Sequence, residues 1–194
     1  FASTSLDGWP TKPYLCRGAA VSPQPVNQGI FTMTLSVGDR LPEATFNTMT
    51  ADGPGEISTG ELTSGKTVVL FGVPGAFTPT CHMNHLPGFI EHAETLKNKG
   101  VDTIAVLSVN DVFVMDAWKK ASSAGDSITF LSDTAAGFVE AAGLGLGPAP
   151  IFGHLRSQRF ALIAKDGVIT FLAIEDAPGE AVKSGAAAIL EALG

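Results

Sequence analysis

From residue 68 onward the apolar positions form runs and regularly spaced series. Val68-Val-Leu-Phe-Gly-Val73 is a continuous apolar run, the pattern of a central strand buried on both faces. Thr78 and Pro79 follow it. Threonine at an N-cap and proline at the first helical position mark a helix start, which puts Cys81 in the first turn. Leu86, Phe89, Ile90, Ala93 and Leu96 recur at spacings of three and four. They carry the helix across Pro87, with a kink expected there and an end at Gly100. A strand over 101–109, a helix over 112–121 that Asp111 caps, and a short strand over 128–131 come next. Asp133 is placed to cap a further helix reaching about Ala142. Residues 143–153, with Gly143, Gly145, Gly147, Pro148, Pro150 and Gly153, read as a loop. The segments 160–164 and 168–174 form a hairpin about Asp166-Gly167, and 179–193 reads as a closing helix rich in small residues.

Strands that alternate with helices and finish in an antiparallel hairpin describe a mixed central sheet with helices on both faces. This is the pattern of a thioredoxin-like α/β domain, with parallel pairing in its first half. Residues 1–32 differ: Pro10, Pro13, Pro23 and Pro25 interrupt them and apolar periodicity is missing. They are expected to be an irregular N-terminal extension or leader. Their Lys12 and Arg17 are too few for an Arg-rich amphipathic presequence. The boundary is placed near Met33, with one domain over 33–194.

Composition narrows the function. With 12 Lys plus Arg against 19 Asp plus Glu, the net charge of -7 argues against nucleic acid or an anionic membrane surface as partner. No stretch approaches the run of about 20 apolar residues that a spanning helix needs. Two cysteines, Cys16 and Cys81, are too few for a disulfide framework, which favours a reducing, cytoplasmic compartment, or an organelle if residues 1–32 are a targeting remnant. His82, His85, His92 and His154 show no zinc-ligand spacing, so neither a metal nor another cofactor is expected.

Cys81 is the residue with chemistry around it. A thiol attacks as its thiolate, and the unpaired N–H groups of a helix's first turn favour an anion there. The end of a buried strand is also where ligand sites of open α/β sheets gather. A buried, inert structural cysteine remains the alternative from spacing alone, and the Thr78 hydroxyl can cap the helix whether or not it takes part in chemistry.

The run Pro74-x-x-x-Thr78-x-x-Cys81 resembles the peroxiredoxin active-site signature, and Gly75-Ala-Phe-Thr-Pro-Thr-Cys81 resembles its type II, atypical branch. His85-Leu-Pro-Gly-Phe89, Leu107-Ser-Val-Asn-Asp111, Ala117-Trp118, Arg159-Phe160 and Asp166-Gly167 are similar to that branch too, so the likeness spans about 34–194. It implies a thioredoxin-like fold and a thiol peroxidase in which Cys81 attacks hydrogen peroxide or an alkyl hydroperoxide and becomes a sulfenic acid. Arg159 would hold the thiolate and the developing charge, Thr78 would hydrogen-bond sulfur or peroxide, and Pro74 would shield the pocket. On position alone Arg159 would be a surface cation. A homodimer is implied as well. Two departures stand out: His82, read as an exposed side chain, replaces a small polar residue, and the run 145–153 differs from the branch's usual loop near the active site and dimer contact.

Relatives carry a resolving cysteine near the positions of Lys183 or Val106, and neither is cysteine here. An external thiol, glutathione with glutaredoxin or thioredoxin, is therefore expected to recycle Cys81, with a Cys81–Cys16 disulfide as the competitor. Rival readings are a dithiol oxidoreductase, which lacks its Cys-x-x-Cys, and a cysteine hydrolase using His85 or His154 as base. A peroxide-sensing redox interaction protein without rapid turnover is the remaining alternative.

Overall fold

The computed structural model describes residues 34–147 and 151–194. Residues 1–33, which include the expected extension or leader and Cys16, and Pro148 to Pro150 of the altered loop lie outside the described residues. Seven strands form one mixed sheet in the order β2 (Gly53–Ser58), β1 (Thr45–Thr50), β5 (Thr129–Ser132), β4 (Thr103–Ser108), β3 (Thr67–Gly72), β8 (Phe160–Lys165) and β9 (Val168–Ile174). Its centre is the parallel trio β3 (Thr67–Gly72), β4 (Thr103–Ser108) and β5 (Thr129–Ser132), whose core positions are almost fully buried. These are the apolar runs of the sequence, and burial on both faces is why they are continuous rather than alternating.

Two cores lie on opposite faces of this sheet. On one, Val69, Phe71, Val106 and Ile163 meet Leu86, Phe89 and Leu96 of α2 (Leu86–Asn98), Trp118 of α3 (Val112–Ala121) and Ile189 of α5 (Ala186–Ala192). On the other, Val68, Leu70, Leu107 and Leu162 meet Phe138 and Val139 of α4 (Gly137–Ala141) and Leu62 of α1 (Thr59–Thr63). The expected sheet with helices on both faces is what forms.

Helix α3 keeps the bounds read from the sequence, with the Asp111 carboxylate accepting from the Phe113 and Val114 amides at 3.0 Å each. β8 (Phe160–Lys165) and β9 (Val168–Ile174) form the expected hairpin. Its turn residues Asp166 (φ 48°) and Gly167 (φ 77°) both take the left-handed conformation that a two-residue hairpin turn demands.

The structure corrects the sequence reading in several places. β1 (Thr45–Thr50) and β2 (Gly53–Ser58) were not anticipated; they add an antiparallel hairpin at the sheet edge. β2 contains Pro54, two glycines and a mostly half-exposed face, so it carries no apolar alternation. The loop over 143–153 is not wholly irregular, because β6 (Gly145–Leu146) pairs with β7 (Arg156–Ser157). Asp133 caps α4 from a distance: its carboxylate reaches the Phe138 and Val139 amides while Ala136 holds φ 57° between them. The closing helix begins only at Ala186, and residues 175–185 form an irregular loop over the carboxyl ends of the strands.

Candidate active site

The chain leaves β3 at Gly72 and places buried Pro74 and Gly75 before turning into the helix at Pro79. Gly72 has no room for a side chain: a Cβ there would lie 2.1 Å from the Phe160 ring and 2.7 Å from Ser157 Oγ. The carbonyl of Thr78 accepts the His82 amide at 2.9 Å, so Thr78 does occupy the helix-start position. The first turn is wide. Cys81–His85 forms a π turn in which the Leu86 amide bonds the Cys81 carbonyl, five residues back. Pro87 explains it: proline has no N–H to give the Met83 carbonyl and its ring would press on that carbonyl, so the chain widens one turn earlier. The irregularity associated with Pro87 is therefore the wide turn that precedes it, Cys81–His85, and the helix runs on through Pro87 to Asn98.

Cys81 is fully buried. Thr78 Oγ lies 2.8 Å from its sulfur and 3.0 Å from the Gly75 carbonyl. A hydroxyl has one proton to give, so it can face the carbonyl when sulfur is protonated and turn to sulfur when sulfur is an anion. Arg159, 2% exposed, reaches the same sulfur with Nη2 at 3.3 Å. Sheet register brings it there. Phe160 pairs with Gly72 across β8 and β3, which sets Arg159 beside the chain just before Pro74, some 80 residues earlier in sequence. The structure thus brings all four sequence-predicted site residues to one end of the sheet: Cys81, Thr78 and Arg159 in contact, and Pro74 in the loop that leads to them. It excludes the surface alternative for Arg159.

The guanidinium is fixed on its other sides. Pro178 O accepts from Nη2 at 2.8 Å and Nε at 3.3 Å, and Nη1 donates to His85 Nδ1 at 3.1 Å. Arginine cannot accept, so Nδ1 must, and His85 is the neutral Nε2–H form donating to the Ser184 carbonyl at 2.8 Å. Burial is the main cause that pushes His85 down to about 4, helped by the charge of Arg159 and opposed by the Ser184 carbonyl bond and by Glu175. His85 is therefore held by the arginine and is not a free base, which removes its part in the hydrolase reading.

Sequence reasoning missed this support. His85 stands four residues from Cys81, one helical turn on, and that spacing was the available signal. Asn110 was missed as well; its Oδ1 accepts from the Ala76 amide at 2.9 Å and Ser108 Oγ at 2.7 Å, tying the loop before Cys81 to the end of β4. His82 is not exposed as expected. It is half-buried, and its Nδ1 accepts from Trp118 Nε1 at 3.0 Å, which pins the π turn to α3. No group of three or more metal-binding side chains occurs among the described residues.

The Redoxin family profile matches residues 36–190. Peroxiredoxin-2E-2, chloroplastic, of Oryza sativa subsp. japonica is 47% identical over 165 residues, covering 82% of this chain and 73% of its own. This chain belongs to the peroxiredoxins. It sits in their type II branch and is a thiol-dependent peroxidase by class. Peroxiredoxin-2C of the same plant is 46% identical over 82% of this chain and 98% of its own. Among solved structures, that of reduced Prx3 in complex with H2O2 from Vibrio vulnificus is 49% identical, with a TM-score of 0.79 over 83% of this chain and 100% of that one. Peroxiredoxin 5 from Alvinella pompejana, at 29% identity and a TM-score of 0.73 over 82% of this chain and 97% of its own, has the same fold. The thioredoxin-like arrangement of this peroxiredoxin is that of its relatives.

Proposed function

We propose that this peroxiredoxin reduces hydrogen peroxide and alkyl hydroperoxides through a Cys81 sulfenic acid. The Cys81 thiolate attacks one peroxide oxygen and gives that oxygen its electron pair, while the O–O bond breaks and its electrons leave with the other oxygen. That oxygen takes a proton and departs as water or an alcohol. The observation that carries this reading is the meeting of Thr78 and Arg159 on one buried sulfur, at 2.8 and 3.3 Å. A fixed cation and a rotatable hydroxyl beside sulfur suit a reaction in which negative charge moves from sulfur to oxygen. Pro74, buried in the loop between β3 and the Cys81 turn, is assigned the part of keeping bulk water from the thiolate.

Recycling is assigned to an external thiol, glutathione with glutaredoxin or thioredoxin. Cys81 is the only cysteine among the described residues, Lys183 stands exposed, and Val106 is locked in β4. A homodimer is also proposed, since Phe77 and Phe113 leave 48% and 65% of their surface open for a second copy to cover. No helix among the described residues is long and apolar enough to cross a membrane. The compartment proposed is a reducing one, cytoplasmic or, as in the relatives named chloroplastic, organellar.

A Cys16→Ser variant assayed with glutathione and glutaredoxin, and separately with thioredoxin, tests the recycling route. Unchanged turnover is expected, and its collapse would assign resolution to Cys16. Stopped-flow peroxide consumption by the intact protein is expected to continue over many turnovers with a reductant present. A single oxidation followed by arrest would overturn the peroxidase reading in favour of a sensor.

A further inference from the structure

The loop over 175–185 touches the active site at three points. Pro178 O holds the Arg159 guanidinium, Gly179 O accepts from Thr80 Oγ at 3.1 Å, and Ser184 O holds His85. One side chain clasps this loop from inside. Glu175 is 8% exposed, and its Oε1 accepts from the Ser184 amide at 2.7 Å and from Ser184 Oγ at 2.9 Å. Its Oε2 is buried without a hydrogen-bond partner.

A half-satisfied buried carboxylate is costly, and a loop could be closed at less cost by a neutral side chain. Its position indicates what it serves. Glu175 follows β9 directly opposite Arg159, with its amide donating to the Arg159 carbonyl at 3.0 Å. Two routes thus join Glu175 to Arg159: one through the backbone, and one through Ser184 and His85 to the guanidinium. The second ends on Nη1 of the guanidinium whose Nη2 faces sulfur.

We propose that Glu175 is a positioning residue of this peroxiredoxin: by clasping Ser184 it fixes the ring and tautomer of His85, and so aims the Arg159 guanidinium at Cys81. The order of the chain is set by donors and acceptors. Oε1 draws in the Ser184 amide, which sets the Ser184 carbonyl to accept from His85 Nε2–H. That leaves Nδ1 with a bare lone pair, the one form of the ring that can accept from arginine. Loss of the clasp frees the ring to turn or to move its proton to Nδ1, where it would repel the guanidinium N–H and release Arg159 from sulfur. The inference rests on the reading of Cys81 as the attacking residue only for its effect on rate; its effect on His85 is independent of that reading.

The test uses the full chain with Glu175→Ala, Glu175→Gln and Ser184→Ala. The imidazole 15N shifts of His85 report its tautomer, and peroxide kcat/KM is measured beside the KM for the reductant. In the parent chain His85 is expected as pure Nε2–H. Glu175→Ala is expected to give mixed tautomers and about a tenfold fall in peroxide kcat/KM with the reductant KM unchanged. Glu175→Gln keeps a carbonyl for Ser184 and is expected to restore both; Ser184→Ala keeps the amide and carbonyl and is expected to retain the parent tautomer. Lower thermal stability of Glu175→Ala with an unchanged tautomer and unchanged kcat/KM would show that the clasp only holds the loop, and would overturn the proposal. If the tautomer shifts while Cys81→Ser keeps full turnover, the clasp stands and the reading of Cys81 fails instead.

Discussion

Two parallel strands of this sheet run into helices, and the two junctions are built to opposite ends. After β4, Asp111 supplies a carboxylate to the first amides of α3, and the helix start is closed. After β3, Thr78 holds the equivalent place, but its hydroxyl points to sulfur and to Gly75 O, and the turn beyond it is widened. Where α3 has its capping anion, the other helix has a cysteine. The same physics, negative charge at a helix N-terminus, stabilises a fold at one junction and, in the function proposed above, serves the attacking sulfur at the other.

The strongest way to break this comparison is at the sulfur. Cys81→Ser should abolish turnover with the helix start retained, as circular dichroism and peroxide consumption together would show. Arg159→Leu should cost about 10²–10³-fold in peroxide kcat/KM, the range for removing one fixed charge-stabilising donor.

Acid comes next. The unfolded chain takes up a proton on His85 at its ordinary value of 6.5, whereas the folded chain does so only near 4. Stability is complete above about pH 6.5 and falls through that window, by about 3 kcal/mol in total at 1.36 kcal/mol per unit. Denaturant titrations across pH 4–7 check it, and a His85→Gln chain should lose most of the slope.

Thr78→Val removes one hydrogen bond, worth about 1–1.5 kcal/mol, and should slow the peroxide step about tenfold, with Thr78→Ser restoring it. The smallest effect belongs to the other junction. Asp111→Ala should lower stability by about 1 kcal/mol and leave peroxide kcat/KM untouched. A fall in rate there would show that the two junctions are not separate devices.

Much of this was legible in the chain because the signals were local. The apolar runs of β3 and β4, the Asp111 cap and the Asp166-Gly167 turn each declare themselves within a few residues. The motif from Pro74 to Cys81 is likewise one short segment. What escaped depends on pairing across the sheet or on the loop that closes it. Nothing near Arg159 says that β8 runs antiparallel beside β3 with Phe160 opposite Gly72. Nothing near His82 says that Trp118 lies within a hydrogen bond. Residues 179–185 look helical by composition, yet their carbonyls are used on Thr80 and His85, and a continuous helix would have withdrawn them.

Gly72 shows how narrow the tolerance under the site is. The Phe160 ring occupies the volume that a methyl at 72 would need, and Phe160 is the chain neighbour of Arg159. Positions 72, 157 and 160 are therefore expected to vary as a set. A library randomised at all three should return glycine with a large aromatic, or a larger residue at 72 only with a trimmed partner, and single changes at 72 should be lost from any pool selected for peroxide resistance.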